Sequence, residues 1–412
     1  MKTNQLMLTL ACCATLAVAC QKENVPEATT GLKSVEINIE NLLMTKADAE
    51  GAITDGSAVQ LNDLRIYLVD TNGKFYSGLQ SNGVDAAQAY YSATPAAGEE
   101  SVTDATAANK VLSFHYVDRA VTHVIAVGNM GTTTYANESE LNAAILKVGD
   151  QQKQSDLKLY AKEQLTGPDG THDTDTWPNE QGTAETQKNE VYKATLTLMP
   201  RIARFEVDGF RVKFTADDLT TADVTETPKY KNITIDQLAF TNYQPTTTLY
   251  ELNPEGTVVN AVADYTNETA VYQWFVDHKD LATTAAPAWS YYDDPTALSF
   301  DAPAAGGEVA NDFTVKQAFH FFPGEVVPMF LVNLTADDVP AYLYTKNINL
   351  DGKAMAAADF KPGYVYRMSA ASEQGADGSI IIDEEDIDPM DRCVDITVSV
   401  HKWVVKLVTP EF

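Results

Sequence analysis

Val35-Glu36-Ile37-Asn38-Ile39-Glu40 alternates apolar and polar side chains without a break. A period of two places Val35, Ile37 and Ile39 on one face of a β-strand and leaves the other face polar. The sequence therefore predicts a half-buried strand over 35–43, with Leu43 as its last apolar residue. The same alternation is the dominant pattern of the chain, so the fold class that we expect is mostly β.

Further predicted strands lie on both sides of the middle of the chain. The segment 64–68 alternates and runs into the turn dipeptide Asn72-Gly73, which favours a hairpin. The other predicted strands are 123–127, 201–207, 233–240, 273–276, 319–322, 329–334 and 364–368. A short helix is predicted over 138–146, and the polar, Gly- and Pro-containing segments 163–189, 260–269 and 282–305 are predicted to be loops. This pattern indicates β-sandwiches with long surface loops.

The N-terminus has the features of a lipoprotein signal peptide. Leu16-Ala17-Val18-Ala19-Cys20 closes an apolar run that begins at Leu6, and Lys2 supplies the positive start. The run is too short to span a bilayer. Cleavage before Cys20 would leave a thiol for lipidation, whereas a plain exported protein would be cut at the same place without a lipid. The sequence therefore predicts an exported, membrane-tethered precursor.

Composition excludes several functional classes. The 412 residues carry a formal charge of −29, which disfavours binding to nucleic acid or to an anionic membrane surface. The expected membrane contact is therefore the lipid anchor of the precursor alone. Of the four cysteines, Cys12 and Cys13 lie in the signal and Cys20 would carry lipid, so only Cys393 is left and no internal disulfide is expected.

No catalytic or cofactor motif is found in the sequence. The six histidines have no metal-ligand spacing, and neither a phosphate-binding glycine loop nor a Gly-x-Ser-x-Gly motif is present. Asp169, Thr171, Asp173 and Glu180 match a calcium loop, but Thr174 stands where the sharp turn needs glycine. The acidic run 383–389 would suit an ion site or a pair of catalytic carboxylates, but so many acids before a proline are more typical of a solvated hinge. We therefore predict a protein that is not an enzyme and has no metal or cofactor.

The C-terminus consists of two alternating runs after that acidic hinge. Each run places its apolar residues on one face of a strand. The first set is Val394, Ile396, Val398 and Val400, and the second set is Trp403, Val405 and Leu407. Such strands either complete a sheet of the same chain or add to the open edge of a neighbour. At the other end, Lys46 followed by Ala47 is a plausible cut site for a trypsin-like protease in a small, polar stretch. Release of 35–43 by that cut would expose an unpaired edge, which is an assembly site.

In this order, the motifs resemble those of the fimbrillins of Bacteroidales, which build the type V pilus. The signal with Cys20, the first strand and Lys46 are similar to the family's precursor region. The segments 64–73, 123–131, 201–207, 329–333 and 364–368 resemble its core strands, and 394–405 resembles its closing strand with the tryptophan. The resemblance covers almost the whole chain.

The resemblance implies two tandem β-sandwich domains of transthyretin-like, Greek-key type and a donor-strand mechanism. The expected units are a signal peptide (1–20), a propeptide with a removable strand (21–46), an N-terminal domain (47–190), a C-terminal domain (191–392) and a donor segment (393–412). Cleavage after Lys46 would free the removable strand, and the donor segment of another copy would replace it. The implied partners are copies of this chain, accessory fimbrial subunits and a processing protease; the receptor is not implied.

Alternative roles remain open at the level of sequence. Tip and anchor subunits share the family fold, but the presence of both a basic cut site and an intact tail favours a stalk subunit. A different class is a monomeric surface lipoprotein that binds a glycan or a protein, with 35–43 permanently in its own sheet. Aromatic residues such as Trp289, Tyr291 and Tyr292 would serve such binding, although core packing explains them equally well.

Overall fold

The computed structural model describes residues 32–40, 58–80, 85–95, 97, 100–106, 111–151, 155–168, 172–173, 176–178, 184–186, 189–214, 232–250, 268–283, 291–299, 309–350, 353–369, 381–382, 393–397, 399–402 and 404–407. Most of them lie in strands, so the prediction of a mostly β protein is confirmed. The described α-helices are Val102–Ala105 (α1), Glu138–Asn142 (α2) and Glu268–Thr283 (α3).

The strands up to residue 200 are Leu32–Glu40 (β1), Ala58–Leu61 (β2), Asp63–Asp70 (β3), Phe75–Tyr76 (β4), Gly78–Gln80 (β5), Asp85–Ala86 (β6), Gln88–Ser92 (β7), Val111–Asp118 (β8), Val121–Gly128 (β9), Ile145–Lys147 (β10), Leu159–Gln164 (β11), His172–Asp173 (β12), Thr176–Pro178 (β13), Ala184–Thr186 (β14), Asn189–Thr197 (β15) and Met199–Pro200 (β16).

The strands after residue 200 are Ala203–Phe214 (β17), Asn232–Thr241 (β18), Thr246–Thr248 (β19), Tyr291–Ser299 (β20), Val309–Phe321 (β21), Met329–Ala336 (β22), Val339–Leu350 (β23), Lys353–Ala354 (β24), Tyr364–Ser369 (β25), Ile381–Ile382 (β26), Cys393–Thr397 (β27), Ser399–Lys402 (β28) and Val404–Leu407 (β29).

Four larger sheets contain most of these strands. Sheet 1 has the order β12-β15-β1-β8-β5-β6, and sheet 2 has the order β16-β11-β9-β3-β4, with β7 also paired to β3. Sheet 3 has the order β21-β17-β25-β28, with β26 on β17, and sheet 4 has the order β20-β18-β22-β23-β24, with β27 on β23. Among these four sheets, the strands up to Pro200 belong to sheets 1 and 2, and the strands from β17 onwards belong to sheets 3 and 4. The change lies beyond the expected domain boundary at 190/191, because β15 pairs with β1 of sheet 1. The domain limits themselves stay a prediction.

The two pairs of sheets are joined through buried contacts. Apolar side chains of all four sheets belong to one continuous buried cluster. β10 and β19 form a two-stranded antiparallel ribbon between the two parts of the chain. Beside this ribbon, the Val148 N–H donates to the Pro245 carbonyl at 2.9 Å, and the Leu249 N–H donates to the Ala144 carbonyl at 2.9 Å. The parts are thus held by both apolar packing and main-chain hydrogen bonds.

Several predicted elements are confirmed. The 64–73 hairpin is present as β3 and β4, with Asp70 Oδ1 accepting from the backbone N–H groups of Asn72 and Lys74 at 2.8 and 2.9 Å. Gly73 has a φ of +78°, a conformation that favours glycine. Seven further strands were predicted after residue 100, and described strands lie at six of these positions. The six are 123–127, 201–207, 233–240, 319–322, 329–334 and 364–368.

Two predictions about helices were wrong. The helix expected over 138–146 ends at Asn142, and the following residues form β10, whose pairing with β19 replaces further helical hydrogen bonds. The segment 273–276 is not a strand but part of α3. In α3, Val271, Trp274 and Phe275 recur at helical spacing and pack with residues of sheet 4 in a second buried cluster.

The predicted loops also contain regular structure. Residues 291–299 of the loop expected over 282–305 form β20, which pairs with β18. The end of the loop expected over 260–269 is the beginning of α3. Within 163–189, the described residues include the short strands β12, β13 and β14.

A buried charge network lies in sheet 3. Glu206 is 0% exposed, and its Oε1 accepts from Arg204 Nε at 2.6 Å while its Oε2 accepts from Arg367 Nε at 3.1 Å. Arg204 Nη1 contacts His320 Nε2 at 3.0 Å, and His320 Nδ1 contacts the Gln151 carbonyl at 2.7 Å. A carbonyl only accepts, so Nδ1 carries the proton and Nε2 accepts from Arg204. The network thereby connects sheet 3 to Gln151, which lies before the first strand of sheet 3 in the sequence.

The protonation state of His320 is expected to make stability depend on pH. Burial, with the neighbouring Arg204, lowers the pKa of His320 from 6.5 to about 3. The unfolded chain therefore binds a proton between pH 6.5 and 3 that the folded chain does not, so stability falls as pH falls through this window, by at most about 1.4 kcal/mol per pH unit. Urea unfolding of His320→Asn and of the unsubstituted chain at several pH values checks this. The difference between the two should shrink from pH 6.5 towards 3, and a constant difference would contradict it.

Candidate functional site

The predicted removable strand lies in the interior of a sheet. β1 pairs in parallel with β15 and antiparallel with β8, so both of its edges carry main-chain ladders. The observed strand spans 32–40 instead of 35–43, and Leu43 lies outside the described residues. The gap between β8 and β15 that β1 fills is called the β1 groove here.

Apolar side chains hold β1 in this groove. Val35 and Ile37 are both 0% exposed, and Ile39 is half-buried. Opposite Ile37 lie Leu112 of β8 and Ala194 of β15, both buried. The alternation in the sequence therefore places the expected residues in the core. Fully burying a Val or Ile side chain contributes about 1.5–3 kcal/mol.

Polar residues at the start of β1 are buried too. Lys33 is 3% exposed, its Nζ donates to the Val121 carbonyl, and the same nitrogen lies 4.2 Å from the centroid of the Tyr192 ring. Burial, with nearby Arg119, lowers the pKa of Lys33 to about 8. Ser34 Oγ lies 3.1 Å from His115 Nδ1, and both residues are buried. The β1 groove thus accepts a basic and a small polar residue before its apolar positions.

The outer face of β1 carries one ion pair with the groove wall. Glu36 Oε2 lies 3.6 Å from Nζ of Lys193 on β15, with both side chains partly exposed. An exposed pair of this kind contributes about 0–1 kcal/mol. The pair therefore contributes little to stability, but it favours the register in which Glu36 lies opposite Lys193.

Burial of Lys33 predicts chemical protection while β1 is in place. We expect an amine-acylating reagent to modify Lys33 far more slowly than exposed Lys353 in the folded precursor, because the Lys33 nitrogen is desolvated and hydrogen-bonded. Peptide mass spectrometry after brief labelling measures both rates. In urea the two rates should converge. Equal rates in the folded precursor would show that β1 is not seated as described.

The predicted donor segment is paired within the same chain. β27 pairs in parallel with β23, β28 antiparallel with β25, and β29 in parallel with β2. Among the described strands, each therefore has one ladder neighbour, in contrast to the two neighbours of β1. Of the predicted donor residues, Val394, Ile396, Val400, Val405 and Leu407 lie in these strands, while Val398 and Trp403 lie outside the described residues.

The partner of β29 follows the predicted cut site closely. β2 begins at Ala58, and Val59 and Leu61 are buried. The Asn129 side chain fixes β2, since its Nδ2 donates to the Gln60 carbonyl at 2.7 Å and its Oδ1 accepts from the Asn62 N–H at 2.8 Å. This gives a structural role to Asn129, which lies within the segment 123–131 that resembles a core strand of the fimbrillins. Lys46, Ala47 and Cys20 lie outside the described residues.

Metal ligands and cavities were two further features of interest in the described part of the chain. Within it, no group of three or more His, Cys, Asp and Glu side chains is arranged to hold a metal ion. A cavity of about 550 Å³ lies beside β24 and the start of β25, and Lys353, Asp359 and Tyr364 are among its lining residues. The helices described here include none that is both long and apolar enough to cross a membrane. The calcium-loop residues other than Asp173, and the hinge 383–389, are outside the described ranges.

Sequence reasoning missed the polar part of the groove. Lys33, Ser34 and His115 are polar residues that give no sign of burial by themselves, and Lys193 is one of many exposed lysines. The signals available for the groove walls were the alternation of β8, with Leu112 and Phe114 buried, and that of β15, with Ala194 and Leu196 buried. Which strands flank β1 is not encoded in any local pattern.

Comparison with known proteins gives structural neighbours only. No protein-family model matches the chain, and no curated protein matches it. The fimbrillin FimA of Porphyromonas gingivalis W83 is 10% identical with a TM-score of 0.44, over 90% of this chain and 98% of that one. A protein of Parabacteroides distasonis described as a cell adhesion protein is 12% identical with a TM-score of 0.45, over 92% and 99%. The tip fimbrial protein Mfa3 of Porphyromonas gingivalis, with a C-terminal truncation, is 8% identical with a TM-score of 0.35, over 90% and 100%. These neighbours are fimbrial and cell adhesion proteins of Bacteroidales.

Proposed function

We propose that this protein is a structural subunit of a cell-surface fimbrium that polymerises by donor-strand exchange. The observation that carries the proposal is the position of β1. This strand precedes the predicted cut site at Lys46, yet it is an interior strand of sheet 1 with ladders on both edges and with Val35 and Ile37 fully buried. In this proposal, the segment that is removed fills an interior position of sheet 1, so its removal would leave a gap between β8 and β15.

Removal of β1 would create a strong acceptor site. The facing edges of β8 and β15 would each present unpaired N–H and C=O groups beside an apolar trough. A strand with alternating apolar residues restores both ladders and the buried surface. Burying roughly 500 Å² of apolar surface corresponds to on the order of 12 kcal/mol before the costs of association.

The C-terminal tail is the proposed donor. Its strands carry the alternation that the groove requires, and each has a single described ladder neighbour in the subunit. Because donor and acceptor are different surfaces of one subunit, the contact is head-to-tail and does not close, which yields a filament. In this scheme the precursor is exported as a lipoprotein through Cys20, is anchored in the outer membrane, and loses 20–46 by cleavage after Lys46. A stalk role is favoured because both the cut site and the tail are present.

The experiment combines proteolysis with gel analysis. The precursor without its signal peptide is treated with a trypsin-like protease and run on SDS gels without boiling, alongside N-terminal sequencing. We expect a new N-terminus at Ala47 and a ladder of polymers, and we expect no ladder from a variant that lacks 394–412. Cleavage that yields only monomer would instead favour an accessory subunit or a monomeric binding lipoprotein.

A further inference from the structure

The C-terminal tail repeats the residue pattern of β1. Arg392-Cys393-Val394-Asp395-Ile396-Thr397-Val398 matches Lys33-Ser34-Val35-Glu36-Ile37-Asn38-Ile39 position by position. Both segments read, in the same direction, as a basic residue, a small residue, valine, an acid, isoleucine, a polar residue and a β-branched residue. The two segments are more than 350 residues apart in the chain.

Each class of residue in this pattern meets a feature of the groove. The positions of Val35 and Ile37 are fully buried and require apolar side chains. The position of Lys33 lies over the Tyr192 ring, which attracts a lysine or an arginine. The position of Glu36 faces Lys193. The tail therefore has a suitable side chain for the core, for the aromatic ring and for the surface cation.

We propose that residues 392–398 of one subunit occupy the β1 groove of the next in the same direction as β1, with Val394 in the place of Val35 and Ile396 in the place of Ile37. This inference rests on the proposed function and specifies its direction and register. The inserted strand is parallel to β15 and antiparallel to β8, as β1 is. Asp395 then pairs with Lys193, and Arg392 lies over Tyr192.

The groove rejects neighbouring registers for physical reasons. A slip by one residue would turn Asp395 from the outer face into the core, where an unpaired carboxylate is strongly unfavourable. A slip by two residues keeps the faces but separates Asp395 from Lys193. Lys193 therefore acts as a residue that determines register, while the apolar positions supply most of the affinity.

One alternative direction has to be distinguished. Read backwards, the tail also places a lysine first, Lys402, and apolar residues at alternate positions after it. In that direction Ser399 takes the place of Glu36 and faces Lys193 without forming an ion pair. Thr397 takes the place of Asn38 in both directions. A cross-link through Thr397 therefore reports insertion in either direction. Cross-links through Asp395 or Ser399 report which direction is used.

The test uses mixtures of singly substituted subunits in a Cys393→Ser background, so that every disulfide is intermolecular. In the precursor register Asn38 lies opposite Val111, and Glu36 lies opposite Ser113. After cleavage, polymerisation and mild oxidation, Val111→Cys with Thr397→Cys should cross-link in either direction. Ser113→Cys with Asp395→Cys should cross-link only in the proposed direction, and Ser113→Cys with Ser399→Cys only in the reverse one.

The outcomes are distinct. Cross-links through Thr397 and Asp395, but not through Ser399, support the proposal. Cross-links through Thr397 and Ser399, but not through Asp395, overturn the register while the proposed function stands. Absence of the Thr397 cross-link from polymers that do form overturns the proposed register in both directions. Absence of polymers after cleavage overturns the proposed function itself.

A charge exchange tests the role of Lys193 separately. In a Glu36→Gln background, which removes the ion pair between Lys193 and β1 in the precursor, Lys193→Glu should slow polymerisation by up to about fivefold, the effect of one exposed ion pair. Combining it with Asp395→Lys should restore the rate, whereas Ser399→Lys, the matched control, should not. Rescue by Ser399→Lys alone would contradict the proposed register.

Discussion

The Glu206→Gln variant is expected to lose about 3–5 kcal/mol of stability, because the substitution leaves buried arginines without their counter-charge. Glu206 is fully buried and accepts from Arg204 and Arg367, one arginine on each carboxylate oxygen. A glutamine offers one acceptor oxygen and one NH₂ group, so a donor would face a donor at one of the two arginines. Shape is kept and charge is lost, which isolates the electrostatic contribution.

The geometry of the network explains why this effect is large. Arg204 and Glu206 are two residues apart on β17 and therefore point to the same face. Glu206 is opposite Arg367 in the parallel register of β17 with β25. The three side chains thus converge by strand register, and relaxation would require movement of the sheet.

Urea unfolding of the full chain at neutral pH measures the loss. Glu163→Gln on β11 is the matched control, since that carboxylate is exposed and the same substitution should change stability by no more than about 0.5 kcal/mol. Equal unfolding midpoints for the two variants would contradict the assignment of Glu206 as the centre of a buried charge network.

Local alternation predicted most of the strands, because side chains on a half-buried strand report directly which face is buried. The segments 35–40, 233–240 and 329–334 lie in observed strands for this reason. The segment 64–68 is also an observed strand, but the prediction that it is half-buried was wrong, because both of its faces are buried. Local alternation does not predict which charged residues are buried. Arg204 and Glu206 look like the polar face of a strand, and only the register with β25 shows that this face is covered.

The helix α3 was missed although its pattern was present. Val271, Trp274 and Phe275 have helical spacing, whereas the adjacent residues Tyr272 and Val276 are exposed. Aromatic and β-branched residues favour strands in isolation, and packing on sheet 4 overrides that preference. The spacing of the large apolar residues was the better signal here than their type.

Pairing partners were beyond the reach of local patterns. The sequence predicted β1 as a strand with apolar Val35 and Ile37, but its neighbours β8 and β15 are about 75 and 160 residues away along the chain. The buried state of Lys33 follows from those neighbours, because Val121 and Tyr192 supply its contacts. The candidate site was therefore predictable as a strand and not as a groove.

The Ile37→Asp variant should destabilise the precursor by at least about 4 kcal/mol, since it places a carboxylate between the buried residues Leu112 and Ala194. Asn38→Asp is the matched control. It adds the same charge on the same strand, one residue along and on the half-buried outer face, so its cost should stay below about 1 kcal/mol. Urea unfolding of the two precursors measures the difference, and equal losses would contradict the register of β1.

The same pair of variants separates the precursor from the mature subunit. Positions 37 and 38 both precede Lys46, so cleavage should give mature chains of identical sequence from both variants and from the unsubstituted precursor. We therefore expect the purified polymers to have equal stability. The rate of polymerisation after cleavage should be higher for Ile37→Asp, because β1 leaves the groove more readily. If the two variants polymerise at the same rate while their precursors differ in stability, departure of β1 is not the step that limits assembly, and the rate must be set by release of the tail from β23, β25 and β2.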